Sequence, residues 1–293
     1  MSEAEILLLG FIAGATIFLG LPVGRMRRLS ADTRQFLNAL AIGILLFLLW
    51  DVLSHAFEPI DAALGDLHNG DGGFAPVLGY AVVFFSGLGI GLMGLVYYER
   101  WFARRQSRLT GEPAAALAPG DLGEATSAEA THGAVAVADG FTTAQRLALM
   151  IAIGIGLHNF GEGLAIGASA AADEISLATV LVIGFALHNA TEGFGIVAPL
   201  AAAGERPSWS FLLAMGAIGG GPTFLGTLIG SHVTNEAVNV AFLTLAAGSI
   251  LYVVIELLGV ARRAGAKELI FWGVFLGLVA GFLTDMVVTA GGA

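Results

Sequence analysis

Two short polar motifs carry the residue types in this chain that could do chemistry. LHNFGEG at 157–163 recurs as LHNATEG at 187–193, so the order His-Asn-x-x-Glu-Gly appears twice. In each copy the His and the Glu are four residues apart, and such residues lie on one face of an α-helix about one turn apart. Imidazole and carboxylate suit zinc, iron(II), manganese, cobalt and cadmium. The spacing predicts that each motif can hold a cation, through His158 and Glu162 in the first and His188 and Glu192 in the second.

The elements that position these motifs are predicted to be transmembrane helices. Apolar residues make up 56% of the chain, charged residues 12%, and the mean hydropathy is +0.83, which excludes an ordinary soluble domain. A helix that crosses the hydrocarbon needs ~20 mostly apolar residues. Eight windows meet this condition: 5–24, 36–57, 75–98, 147–171, 177–200, 209–230, 237–260 and 268–290. The fold class is therefore predicted to be an all-α integral membrane protein with eight spans.

The two motifs are predicted to share one level in the membrane. His158 lies 11 residues after the fourth window begins, and His188 lies 12 residues before the fifth window ends. At ~1.5 Å per residue, each histidine lies ~17 Å from the inner boundary of the membrane. This depth is near the midplane of a hydrocarbon core ~30 Å thick.

A purely structural role is the alternative for these residues. In that reading, His158, Asn159, Glu162 and their counterparts His188, Asn189 and Glu192 form a proton-sharing network that only holds two helices together. An ionised group at mid-membrane costs roughly 2.5 to 3.5 kcal/mol on insertion scales, so both glutamates must have partners or stay protonated. Neither motif contains a Lys or Arg that would supply one. Duplication at matched depth therefore favours a functional ion site.

The distribution of basic residues predicts the orientation of the spans. All 13 lie in or beside alternate loops, and the other loops contain none. The positive-inside rule then places both termini outside and the loop 99–146 in the cytoplasm. The predicted organisation is one membrane domain in three parts: spans 1–3 in 1–98, a flexible cytoplasmic loop at 99–146, and spans 4–8 in 147–293.

Further polar residues within the spans extend the candidate site. Glu256 in the seventh window either completes the mid-membrane site or acts nearer the cytoplasmic interface. Asp51, His55 and Asp285 lie in the outer halves of the second and eighth windows. They either form an entrance that attracts cations or are surface residues near helix ends.

Two compositional features limit the structure and the ligands of the site. Gly221 and Pro222 lie in the middle of the sixth window, and they predict a helix kink because proline removes a backbone hydrogen bond.

The chain contains no cysteine, so a metal would be held by imidazole, carboxylate, amide or water. The absence of thiolates disfavours Cu(I).

At these motifs the sequence resembles the ZIP (Zrt/Irt-like) metal transporters, particularly their prokaryotic GufA-like branch. The resemblance rests on the paired motifs, on AAGSILYVVIEL in the seventh window and on the eight-span pattern. It implies a 3+2+3 helix arrangement, a dimer and a multi-pass protein of a prokaryotic inner membrane. It also implies a mid-membrane centre of one or two metals, built from His158, Asn159, Glu162, His188, Asn189, Glu192 and Glu256.

The sequence departs from the family pattern just before each motif glutamate. Proline usually stands there, whereas this chain has Gly161 in the first motif and Thr191 in the second. This difference predicts a softer break in both helices.

The expected function is transport of divalent cations, zinc first, across the membrane toward the cytoplasm. The metal is then a transported ligand rather than a prosthetic group, and the chain is not an enzyme. The expected partners are the lipid bilayer and divalent cations, with no nucleic acid.

Two alternative functions stay open from the residues alone. An intramembrane zinc hydrolase could use the same ligands, although HNxxEG differs from HExxH. A proton-coupled carrier of an organic solute could use the His/Glu network as a relay.

Overall fold

The computed structural model describes residues 2–26, 30–110, 141–171, 175–232 and 235–290. Within these residues the regular secondary structure is helical. The elements in chain order are α1 (Glu3–Ala15), α2 (Ile17–Gly20), a 3₁₀ turn (Leu21–Arg25), α3 (Ala31–Asn69), α4 (Phe74–Thr110), α5 (Thr143–Ala171), α6 (Ile175–Ala202), α7 (Trp209–Gly230), α8 (Glu236–Ala264) and α9 (Lys267–Ala290).

Local sequence signals account for where several helices begin and end. Ser30, Ser208 and Asn235 stand just before α3, α7 and α8, and each side chain accepts a hydrogen bond from a backbone N–H three residues on. Such caps satisfy donors that a helix leaves open at its first turn. Gly70 and Gly265 follow α3 and α8 with φ of 81°, a left-handed conformation that glycine adopts without steric cost.

Seven helical stretches within the described residues are long and apolar enough to cross a membrane. They are Glu3–Arg25, Ala31–Asn69, Phe74–Trp101, Ala144–Ala168, Trp209–Gly230, Glu236–Arg262 and Lys267–Met286. The protein is therefore an all-helical, multi-pass membrane protein. The remaining predicted window, 177–200, lies in α6, part of which falls outside the residues searched. The count of eight spans and the outer position of both termini stay predictions.

Several helices extend beyond the apolar windows. The second predicted window ends at 57, but α3 continues through Pro59 to Asn69. The helix α4 continues to Thr110, so the first part of the predicted loop 99–146 is helical. Residues 111–140 of that loop lie outside the described chain. Hydropathy windows detect the segment of a helix that is apolar enough to cross the hydrocarbon core. These extensions are more polar than that segment, so the windows do not include them.

The helices pack into two groups. One comprises α1, α2, the 3₁₀ turn, α5, α6 and α7, and is named here the motif group because α5 and α6 carry the paired motifs. The other comprises α3, α4, α8 and α9, and is named the frame group. The most extensive contacts are α5 with α7 in the motif group, and α3 with α9 and α4 with α8 in the frame group.

A side-chain core joins the two groups. Ile151 and Ile196 of the motif group belong to the same buried apolar cluster as Ile42, Leu45 and Leu257 of the frame group. Contacts of α5 with α8 and of α3 with α6 build this junction. The paired motifs therefore lie on the two helices of the motif group that face the frame group.

Candidate metal site

The paired motifs meet through the His158 side chain. Its Nε2 atom lies 3.1 Å from Oε1 of Glu162, one turn further along α5, and 3.8 Å from Oε1 of Glu192 on α6. All three side chains are buried. The predicted pairing of His158 with Glu162 within one helix is confirmed, and the second motif contributes its glutamate to the same cluster.

These distances match the edges of a zinc coordination shell. With ligands ~2.1 Å from the ion, two ligands of a tetrahedral zinc site lie about 3.4 Å apart. The two separations from His158 lie on either side of this value. Within the described residues, however, no group of three or more His, Asp or Glu side chains already surrounds one metal position.

Both motif asparagines are fixed by hydrogen bonds to the backbone of neighbouring helices. Nδ2 of Asn159 donates to the carbonyl of Gly219 on α7 at 3.0 Å, and Nδ2 of Asn189 donates to the carbonyl of Ala13 on α1 at 3.1 Å. Because a carbonyl only accepts hydrogen bonds, the amide nitrogen must face it in each case. The Oδ1 atoms of both residues are buried and have no hydrogen-bond partner within the described chain. They suit a cation or its bound water.

The glycine that ends each motif lets its helix approach a neighbouring backbone. A Cβ atom on Gly163 would lie 2.1 Å from the carbonyl oxygen of Thr223 on α7. A Cβ atom on Gly193 would lie 2.0 Å from the carbonyl oxygen of Ile17 on α2. Real Cβ atoms essentially never come so close to an oxygen. The glycines next to Glu162 and Glu192 therefore fix how far both ligand helices lie from α7 and α2.

A proline in α7 shapes the backbone beside this site. Pro222 lacks an N–H and cannot donate the usual helical hydrogen bond to the carbonyl of Ile218. That carbonyl points at α5, where a Cβ atom on Gly156 would lie 2.3 Å from it. The helix α7 is continuous through Gly221 and Pro222, so the predicted kink there stays a prediction.

Two further predicted ligands are His188 and Glu256. His188 lies on α6, and its side chain lies outside the described part of the chain. Glu256 lies half-buried on α8 in the frame group, one turn after Tyr252. The Tyr252 hydroxyl donates to Oε2 of Glu99 on α4 at 2.9 Å. Glu256 therefore lies near the contact of α8 with α4, and both of its predicted roles, in the metal site and nearer the interface, stay predictions.

The predicted entrance residues on α3 form a pair. Nδ1 of His55 lies 3.6 Å from Oδ1 of Asp51, and the His55 side chain is 59% exposed whereas that of Asp51 is 27% exposed. The pair thus extends from an exposed side chain to a half-buried one. Asp285, the third predicted entrance residue, lies on α9.

Several residues of the site were not predicted from the sequence. The carbonyls of Ala13 and Gly219 carry no signal of their own, and only packing shows that α1 and α7 present them to the asparagines. Thr223 on α7 is also completely buried beside this region. The Gly-Gly-Gly-Pro run at 219–222 was the available signal that α7 differs from an ordinary span.

Comparison with known protein families gives a match to a large part of the chain. Residues 121–285, more than half of the chain, match the model of a family described as ZIP zinc transporter. A search of curated proteins found no match. Proteins of this family transport divalent metals and are not enzymes, so the hydrolase alternative is not favoured. From the paired motifs, the apolar helices and this match, we conclude that the chain belongs to the ZIP zinc transporter family.

Proposed function

We propose that this protein carries zinc toward the cytoplasm through the cluster of His158, Glu162 and Glu192. The observation that supports the proposal is the position of His158 Nε2, 3.1 Å and 3.8 Å from the two carboxylates at a buried point between α5 and α6. Two buried carboxylates need positive charge nearby, and a dication supplies it. Asn159, Asn189, His188 and Glu256 complete the proposed ligand set. Iron(II), manganese, cobalt and cadmium suit the same donors.

The proposed route starts at Asp51 and His55, with Asp285 as a further entrance residue. A hydrated cation would exchange water for the His/Glu/Asn set and leave inward when the motif group moves against the frame group. Alternating access around a site near the midplane explains how this occurs without an open pore. Because the ligands must be deprotonated, acidic conditions would weaken metal binding.

We also propose the finer assignments that the family resemblance implies. They are a GufA-like protein with eight spans in one membrane domain, a cytoplasmic loop at 99–146, outer termini, and a dimer in a prokaryotic inner membrane. The paired His-Asn-x-x-Glu-Gly motifs and the alternating distribution of basic residues support them.

Zinc uptake into proteoliposomes tests the proposal. The double variant Glu162→Gln, Glu192→Gln keeps the shape of both side chains but removes both charges, so saturable uptake of radioactive zinc is expected to fall to the background of empty liposomes. Glu268→Gln is the matched control, since it removes one exposed carboxylate at the start of α9. Its uptake should equal that of the unmodified protein.

Two results would overturn the proposal. If the double variant transports zinc as well as the control does, the ion does not pass through this cluster. If the unmodified protein moves no zinc, cadmium, iron(II) or manganese above empty liposomes, metal transport itself is excluded, and uptake of organic solutes under a proton gradient would be measured next.

A further inference from the structure

Three buried oxygen atoms stand out on α5, α6 and α7. They are Oδ1 of Asn159, Oδ1 of Asn189 and Oγ1 of Thr223, and none has a hydrogen-bond partner within the described residues. All three residues have 0% of their surface exposed. A buried polar atom without a partner is costly, so such atoms often mark a ligand or an ordered water. The two asparagines belong to the motifs, whereas Thr223 does not.

Thr223 differs from the other threonines buried in these helices. The hydroxyl of Thr227, one turn further along α7, donates to the carbonyl of Thr223 at 2.9 Å. The hydroxyl of Thr244 on α8 likewise donates to the carbonyl of Val240 at 2.7 Å. This bond to the fourth preceding residue is the usual solution for threonine in a helix. For Thr223 the equivalent carbonyl belongs to Gly219, which instead accepts the amide of Asn159.

Helix packing places the Thr223 side chain beside the anchors of both asparagines. On α7 it lies one turn from Gly219, the anchor of Asn159. Across the interface, a Cβ atom on Gly14 of α1 would lie 3.1 Å from Cβ of Thr223. The residue before Gly14 is Ala13, whose carbonyl is the anchor of Asn189. The hydroxyl therefore lies on the side of the site where both asparagines are held.

We infer that the Thr223 hydroxyl is a further oxygen ligand for the transported cation, on the asparagine side of the site. This inference rests on the proposed function, to which it adds a ligand from α7. Thr223 and the two asparagines offer three neutral oxygens, which favour harder cations such as manganese. The His158 imidazole favours zinc and cadmium. Thr223 thus influences which divalent metals the site accepts, as well as how tightly it holds them.

Three substitutions on α7 test the inference. Thr223→Val removes the hydroxyl and keeps the branched shape, Thr223→Ser keeps the hydroxyl, and Thr227→Val removes a buried hydroxyl that is already paired. Thr223→Val is expected to raise the zinc concentration for half-maximal uptake about tenfold, the lower end for residues that tune a metal site. Manganese uptake should fall more than cadmium uptake. Thr223→Ser should stay within about twofold of the unmodified protein, and Thr227→Val should not change metal preference.

Metal binding is measured independently of transport by the rise in melting temperature of the detergent-solubilised protein with added zinc or manganese. If Thr223→Val is too unstable to purify, Thr223→Ala carries the same expectation. If Thr223→Val and Thr227→Val both transport zinc, and their uptake and melting temperatures respond equally to zinc and to manganese, the inference is overturned. The proposed function would still stand. If the unmodified protein shows neither metal-dependent stabilisation nor uptake, both fail together.

Discussion

The contacts within the two helix groups differ in kind from the contacts between them. Within each group, glycines bring one backbone directly against another. In the motif group, a Cβ atom on Gly226 of α7 would lie 2.1 Å from the carbonyl oxygen of Phe160 on α5. In the frame group, a Cβ atom on Gly91 of α4 would lie 2.1 Å from the carbonyl oxygen of Leu245 on α8. Such contacts fix one helix against the next because backbone cannot rotate away.

Between the groups, the atoms nearest to the glycines are side-chain atoms. A Cβ atom on Gly154 of α5 would lie 2.8 Å from Cγ2 of Val253 on α8, and two other glycines face side chains at ordinary contact distances. A Cβ atom on Gly161 of α5 would lie 3.5 Å from Cδ2 of Leu243 on α8. A Cβ atom on Gly195 of α6 would lie 3.8 Å from Cβ of Ala41 on α3. Side chains can change rotamer, so this junction tolerates displacement that the backbone contacts do not. The comparison shows closer backbone packing within each group than between the two groups.

The largest expected effect is a difference in stability between alanine variants at neighbouring glycines on α5 and α6. Gly163→Ala and Gly193→Ala would each place a methyl group within 2.1 Å of a backbone oxygen, so we expect destabilisation of about 3 kcal/mol or more. Gly161→Ala and Gly195→Ala lie two residues away on the same helices and should be tolerated. Thermal unfolding in detergent, followed by size-exclusion fluorescence, measures both outcomes.

The control variants Gly161→Ala and Gly195→Ala exclude helix propensity as the cause of a stability difference. All four substitutions have the same effect on helix propensity, so a difference between neighbours must come from packing. Equal stability of the four variants would show that the contacts within and between the groups do not differ.

An intermediate effect is expected from a crosslink between the groups. The distance of 3.8 Å between Cβ positions at residues 41 and 195 equals the usual Cβ separation in a disulfide. The variant Ala41→Cys, Gly195→Cys should form this bond under oxidation, and the chain has no other thiol to interfere. Zinc uptake should then fall on the order of tenfold if alternating access needs the groups to move. Reduction should restore it.

The single variants Ala41→Cys and Gly195→Cys serve as controls for this experiment, because neither can form the crosslink within one chain. Complete disulfide formation with unchanged zinc uptake would show that transport needs no movement at this junction.

The smallest expected effect comes from a side-chain hydrogen bond within the frame group. Tyr252→Phe removes the bond from α8 to Glu99 on α4 and should cost ~1 kcal/mol, because the backbone contacts between these helices remain. Tyr97→Phe is the control, since Tyr97 is 63% exposed. The two melting temperatures in detergent measure the difference. A loss of folding in Tyr252→Phe would mean that side-chain bonds, rather than glycine contacts, hold the frame group together.

The sequence predicted the helices well because long apolar windows are a strong signal. Its limits appear where helices leave the apolar region, as in the continuation of α3 to Asn69 and of α4 to Thr110. The break near Thr16 that separates α1 from α2 was also not predicted. These features depend on local backbone geometry and polar helix ends, to which average hydropathy is insensitive.

The candidate site was predictable in its residue types but only partly in its geometry. The i, i+4 spacing predicted that His158 meets Glu162, and duplication predicted that the second motif contributes. The asparagine partners Ala13 and Gly219 were not predictable, because a single sequence does not specify which helices pack against α5 and α6. The role of His188 as a ligand stays a prediction.

The glycine contacts beside Glu162 and Glu192 separate this protein from zinc proteins that fold around their metal. In those proteins the free energy of binding is spent on folding, and the ion is released only when the structure is lost. Here the two ligand helices are held in place by Gly163 against α7 and Gly193 against α2, contacts that involve no metal. Cargo bound at the proposed site could therefore depart while α5 and α6 keep their positions relative to α7 and α2, so its release would not require the protein to unfold.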